Sequence, residues 1–214
     1  PHYKPDEVLD LSFDFSGYFN CATAWQEGWL HEGSAKRRAE YCLHQFFVKT
    51  EDGKVGELVD KICAHYIRHK FKAVRLWGEP RGHDPKADTP RTLFQQIQSR
   101  FVSNGWQVDI RVKPGQVKAH KERNYYLNEL LSESNPSLPV MRFNDQTCKD
   151  AIIAMQVTSV TDDFQKDKRK EKDRAFRQEH APHFTDTVDY YMSQKHGHRT
   201  SLRASRPSLS ASVR

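Results

Sequence analysis

A chain of 214 residues is long enough for one good hydrophobic core with room for a tail. Lys and Arg number 34 against 28 Asp and Glu, and the resulting charge of +6 with a pI near 9.1 favours a polyanionic partner. No apolar run approaches the roughly 20 residues of a membrane span, and Pro1 to Glu7 lacks the apolar core of a secretory signal, so a membrane protein is excluded.

The chain opens on Pro1 without an initiator Met, as expected of a domain excised from a longer chain. Cys21, Cys42, Cys63 and Cys148 form no Cys-x-x-Cys pair and fall mostly inside strand-like or amphipathic segments. Reduced, buried thiols and a cytoplasmic location follow.

In chain order, Val8 to Phe15 carries apolar residues at 9, 11, 13 and 15 before the Ser16-Gly17 turn signal, and reads as a strand. Phe19 to Gln26 and Ala39 to Val48 read as two more, separated by the stretch at 33 to 38, although the last would also pass as a short helix. The simplest arrangement is a three-stranded antiparallel meander. From Val55 to Phe71 the period changes to that of an amphipathic helix, with Val55, Leu58, Val59, Ile62, Cys63, Tyr66 and Ile67 on one face. Ala73 to Trp77 fits a buried strand stopped by Gly78-Glu79-Pro80. Leu93, Phe94, Ile97 and Phe101 mark a second helix, and Trp106 to Val112 alternates as a strand.

Lys118 to Leu131 predicts a helix, Val140 to Phe143 a strand, and Asp145 to Val157 a helix with Cys148, Ala151, Ile152 and Met155 inward. Helices alternating with strands after a meander imply crossovers and parallel pairing. The fold class is therefore α/β, a mixed sheet with helices on both faces. Asp162 to Arg177 is almost wholly charged and reads as a solvated helix or mobile loop, with phosphate contact the alternative. A last helix covers Thr185 to Gln194. Residues 1–195 form the expected domain, and 196–214, rich in Ser, Arg and His, the expected disordered tail.

Asp14, Glu79 and Asp186 lie far apart in sequence, yet each sits where a strand ends or a helix begins. Ligands of open α/β sheets bind beyond the carboxyl ends of the strands, and hard carboxylate oxygens suit divalent ions that serve phosphodiester hydrolysis. Each acid also has a plain structural role open to it. Asp14 can bond the Ser16-Gly17 turn, Glu79 can be a solvated loop residue with Asp84 the true ligand, and Asp186 can complement the helix dipole behind an N-cap at Thr185. His65 and His69 stand at i, i+4, but Tyr66 occupies the place of a metalloprotease Glu, so they read as rim histidines.

The order of these motifs resembles the nuclease domain of the phage large terminase, over roughly residues 8 to 195. LSFDFSG at 11–17 matches that family's first-strand Asp through Asp14. RLWGEPRG at 75–82 matches the second acid through Glu79. HFTDTVDYY at 183–191 matches the third through Asp186, with His183 and Tyr190 in step. NYYLNELL at 124–131 and MRFNDQTCKDAIIAMQ at 141–156 look like the family's connecting helix and following strand-helix unit.

The resemblance implies an RNase H-like fold and an endonuclease cutting double-stranded DNA with little sequence preference during genome packaging. Two Mg²⁺ or Mn²⁺ ions would be bridged by Asp14, Glu79 holding one and Asp186 the other, with His183 orienting from behind. Arg81, Lys118, Lys121, Arg123, Lys168, Arg169 and the rest of the 166–174 run are the candidate DNA grips. The packaging ATPase half, a portal and a small terminase subunit are the implied protein partners. No phosphate-binding Gly-x-x-x-x-Gly-Lys-Ser/Thr segment occurs, so the ATPase half is absent from this chain. Two departures stand out. Glu79 precedes Pro80 where the family has an acid followed by Ala or Thr, and Asp189 adds an acid three residues after Asp186, as an extra or substitute ligand. Another RNase H-like DNA enzyme, such as a resolvase or transposase core, and a catalytically silent DNA-binding or assembly module are the alternatives.

Overall fold

Alternation of large apolar side chains organises the centre of the molecule. In the computed structural model, which describes residues 2–49, 55–85, 90–113, 119–163, 165–173 and 175–197, β1 (Leu9–Phe15) turns Leu9, Leu11 and Phe13 to one face of a six-stranded sheet. They pack against α1 (Val55–His65) and α2 (Leu93–Ser103). The other strands are β2 (Phe19–Glu32), β3 (Ala35–Lys49), β4 (Ala73–Gly78), β5 (Gln107–Ile110) and β6 (Val140–Phe143).

The spatial order is β5-β4-β1-β2-β3-β6, with β2 antiparallel to both neighbours and every other pairing parallel. An antiparallel β1-β2-β3 meander with β4 and β5 added parallel beside β1 is the RNase H-like arrangement. The parallel joins need crossovers, and α1, α2 and α3 (His120–Ser132) supply them. A second core on the opposite face gathers Phe19, Trp25, Cys42 and Trp77 of the strands with α3, α4 (Lys149–Val157) and α6 (His183–His196). A short α5 (Arg169–Lys172) precedes α6.

The polar residues of β1 do not face water. Asp10, Ser12 and Asp14 are 0, 0 and 5 % exposed, because α6, with twelve buried residues, lies across them. Ser12 Oγ donates to the Thr187 carbonyl at 2.7 Å and Thr23 Oγ1 to Thr187 Oγ1 at 2.9 Å. At the carboxyl end of α6, Asp10 accepts from Arg75 Nε (2.6 Å), Trp77 Nε1 (2.9 Å) and Lys195 Nζ (3.1 Å), and Tyr191 Oη lies 3.1 Å from it. Glu40 accepts there from Tyr191 Oη, Lys195 and His196 Nε2. This buried network fixes the angle at which α6 crosses the sheet.

The strands of the β2–β3 hairpin run further than their apolar patterns, meeting at a turn on Gly33 (φ 61°) with Ala35–Arg38 paired to Trp29–Glu32. Backbone pairing carries these polar positions, so side-chain alternation gave no sign of them. α1 ends at His65 rather than Phe71, leaving Ile67 71 % exposed, because Lys70 N and Phe71 N turn back to donate to the Pro5 carbonyl. His69 is consequently buried, bonded to Tyr3, while His65 stays outside against His44. α4 begins at Lys149, since Asn144 Oδ1 accepts from Gln146 N and Thr147 N and makes 144–148 a turn; Ile152 and Met155 are only half-buried. All four cysteines are buried and free. Among the described residues no helix is long and apolar enough to cross a membrane. The tail expected from His196 onward falls, from 198 to 214, outside the described residues, and His196 itself is buried on Glu40.

Candidate active site

Asp14 is the next-to-last residue of β1, and Glu79 follows β4 directly beside it. Gly78 makes that closeness possible: its φ is 139°, and a Cβ there would stand 2.3 Å from the Phe13 carbonyl oxygen. The Glu79 N–H then donates to the same carbonyl at 3.0 Å, and Gln194 of α6 brackets Gly78 by bonding both its N–H and its C=O. Gly78→Ala is expected to cost at least about 2 kcal/mol of stability, through a strained φ and a clash with backbone, read as a fall in the urea midpoint. An unchanged midpoint contradicts this account.

Asp14 and Glu79 open into a cleft of about 430 Å³ lined also by Asn20, Arg81, Lys168, Glu171 and His183. A larger cavity of about 660 Å³ elsewhere, between Tyr3, Tyr41 and Tyr66, is mainly apolar and contains none of the predicted acids. Its lining carries histidines and arginines but a single carboxylate, Asp145, whereas the smaller cleft gathers Asp14, Glu79 and Glu171, so the smaller cleft is the candidate for a divalent ion. Ser16 builds the turn after β1 with its own hydroxyl, accepting from Phe19 N and donating to Phe19 O, which leaves the Asp14 carboxylate uncommitted to it.

His183, the first residue of α6, stacks on Phe19 and places Nδ1 3.0 Å from Asp14 Oδ2. Its Nε2 lies 3.2 Å from Gln178 Oε1. Gln178 is 3 % exposed, and its amide NH₂ donates to the carbonyls of Lys170, Asp173 and Phe176, so its oxygen must accept from His183. The proton of the Asp14–His183 contact is thus shared between the two. Burial raises the Asp14 pKa, His183 opposing and Asp186 adding; the Asp14 hydrogen bond raises His183 against burial. Burial and then Asp14 raise Glu79 as well.

Asp186, 1 % exposed, lies behind this pair in the first turn of α6, whose N-cap is Pro182 rather than Thr185. Its Oδ1 takes Lys166 Nζ at 2.8 Å and its Oδ2 takes Lys168 Nζ at 2.7 Å. Asp189 Oδ2 also meets Lys166 at 2.8 Å, while its buried Oδ1 has no partner. Burial alone would raise Asp186, but Lys166 and Lys168 hold it far below the usual carboxylate range.

Two sequence-based expectations therefore need correction. Lys168 does not stand free on the outer surface, because it is drawn onto Asp186 inside the cleft, where only a strand entering the cleft meets it. Arg123 is 2 % exposed, stacked 4.9 Å over Tyr190 and bonded to His120 Nδ1, too deeply packed to reach a phosphate. Arg81 ion-pairs with Glu79 yet keeps its side chain 79 % exposed. Arg169 is 90 % exposed beside Asp167, and Lys121 lies over Tyr125 on the outer face of α3. Lys118 falls outside the described residues, and Asp84 is exposed and does not line the cleft. Sequence reasoning took Lys166 only as one of the DNA grips of the 166–174 run, and missed Glu171 and Gln178 at the cleft. Lys166 and Glu171 sit among interchangeable charges, and nothing local marks Gln178.

No protein-family model and no curated protein matches the sequence. Among solved structures the chain is similar to the Thermus thermophilus RuvC structure, at 12 % identity and a TM-score of 0.34, over 88 % of this chain and 96 % of that one. So distant a likeness decides nothing. The strand order and directions carry the fold assignment.

The donors suit one hard divalent ion better than two. Among the described residues no three His, Cys, Asp or Glu side chains close around a metal position. Mg²⁺ needs no such cage, since it keeps several waters and commonly uses one or two carboxylates with substrate phosphates, a role open to Asp14 and Glu79. A second ion on Asp186 does not fit, because both its oxygens already hold ammonium groups.

Proposed function

We propose that this chain is an endonuclease that hydrolyses phosphodiester bonds of double-stranded DNA, acting as the nuclease part of a phage or prophage packaging terminase. What supports the reading is that Asp14 and Glu79, from distant segments, open into one polar cleft at the carboxyl edge of an RNase H-like sheet, with Asp186 buried behind them. A divalent ion held by Asp14 and Glu79 would neutralise charge at the phosphodiester and make water more acidic.

The chain's own residues do the positioning. His183 fixes the Asp14 carboxylate through Oδ2, and Gln178 fixes His183. Arg81, tethered to Glu79 but exposed, can reach a phosphate oxygen, and the Asn20 amide, buried on the cleft with its NH₂ unpartnered, is a ready donor for another. These contacts address the backbone only, which fits cutting with little sequence preference. The packaging ATPase half and the portal remain the expected protein partners of such a domain.

Nicking of supercoiled plasmid in Mn²⁺ and in Mg²⁺, with EDTA controls and four-way junctions as competing substrate, tests the reading. Metal-dependent cutting of plasmid, lost in Asp14→Asn and Asp186→Asn, is expected. Preference for junctions points to a resolvase, and no cutting in either metal removes the nuclease assignment. Gln178→Ala should lower cleavage about 10- to 100-fold by releasing His183, as loss of an outer partner does. An unaffected rate would show that Asp14 needs no such support.

A further inference from the structure

The charged segment between α4 and α6 supplies the cleft with its own cations, and the following inference rests on the nuclease reading. Among the described residues, five carboxylates meet at the cleft and just behind it, Asp14, Glu79, Glu171, Asp186 and Asp189. Four cations face them, Arg81, Lys166, Lys168 and the shared proton of His183, a deficit of one positive charge. One divalent ion overshoots by one, and a bound phosphodiester restores neutrality. Two divalent ions would leave three uncompensated positive charges before substrate arrives, in a cleft whose walls are largely desolvated.

The two lysines differ in accessibility. Lys166 has an 8 % exposed side chain, bridges Asp186 and Asp189, and is pinned by a β-bridge to Val160. Lys168 is 38 % exposed, lines the cleft with Asp14 and Glu79, and contacts Asp186 at 2.7 Å and Glu171 at 3.3 Å. Its segment is held at a fixed height by Gln178, whose NH₂ bonds the carbonyls of 170, 173 and 176. That hydrogen-bond chain runs on through His183 to Asp14, so the lysine and the first carboxylate are positioned together.

We propose that Lys168 is the second cation of this site, its ammonium standing where the carboxylate set would otherwise take a second divalent ion and touching the scissile phosphate. It keeps its proton and acts as a charge, adding no bond-making step to the hydrolysis. Lys166 is the structural counter-ion that keeps Asp186 ionised and in place.

The test counts ions apart from activity. Mn²⁺ binding to the full chain is measured by calorimetry, and plasmid cleavage is followed against Mn²⁺ and DNA concentration for the parent, Lys168→Met and Lys168→Arg. One ion per chain and a Hill coefficient near one for Mn²⁺ are expected of the parent. Lys168→Met should still bind one ion but lose about 100-fold in kcat, with KM for DNA changed less than about threefold, and Lys168→Arg should recover most of the loss. Two ions in the parent, or parental kcat in Lys168→Met, overturns the inference while leaving the nuclease reading intact. One ion bound with no cleavage by the parent defeats the nuclease reading alone, and no ion bound defeats both.

Discussion

Asp14→Asn is expected to remove DNA cleavage by about 10³-fold or more while leaving the folded state as stable as the parent, within about 1 kcal/mol. The activity figure follows from the several kcal/mol that a bound ion contributes at a developing phosphate charge, each 1.36 kcal/mol being tenfold in rate. The stability figure follows from opposing effects on a buried group. The amide loses the charge-assisted contact with His183 but also relieves repulsion from Asp186 and Glu79, the pattern of a functional group kept at some cost in stability. Plasmid nicking beside urea unfolding reads both at once. A variant that cuts at a tenth of the parental rate or better would show that Asp14 holds no ion, and one that unfolds easily would show that Asp14 is structural.

Asp10→Ala, four residues earlier on the same strand, should do the reverse and cost about 3–5 kcal/mol of stability, because it strands Arg75 and Lys195 against a buried wall. Urea unfolding checks it, and a loss under 1 kcal/mol would mean that the network relaxes around water. The same network gives the fold an acid limit. Burial alone would raise the Glu40 pKa, but His196 and Lys195 outweigh it and bring it from the ordinary 4.5 down to about 2. A carboxyl whose folded pKa is depressed stabilises fully above its unfolded pKa, and that contribution is lost as pH falls toward the folded value. Glu40 should therefore contribute about 3 kcal/mol near neutrality, declining between pH 4.5 and 2. Glu40→Gln should flatten that part of the stability profile. An identical acid slope in parent and variant would assign the loss to other carboxylates.

Elements with a strong period were legible in the sequence. The Val55, Leu58, Val59, Ile62 stripe made α1, the alternation of Leu9, Leu11 and Phe13 made β1, and the run of helix and strand after the meander implied the parallel half of the sheet. Ends were less legible, because they depend on partners. The polar arms of the β2–β3 hairpin form by backbone pairing, and α1 stops where Pro5 captures the next amides.

The sequence by itself determined the order of elements, the basic charge and the short list of acids, since periodicity and composition are local properties of the chain. It assigned no role to Asp10, although Asp10 and Asp14 share one face of one strand in LDLSFDF. Nor could it tell that, within one charged run, Lys166 and Lys168 turn inward while Arg169 stays in water. Only the tertiary structure decided these, because the fate of a charge depends on what is packed against it. α6 brings Lys195 to one end of β1 and His183 to the other, and that placement ties one aspartate into the scaffold and leaves the other at the proposed site.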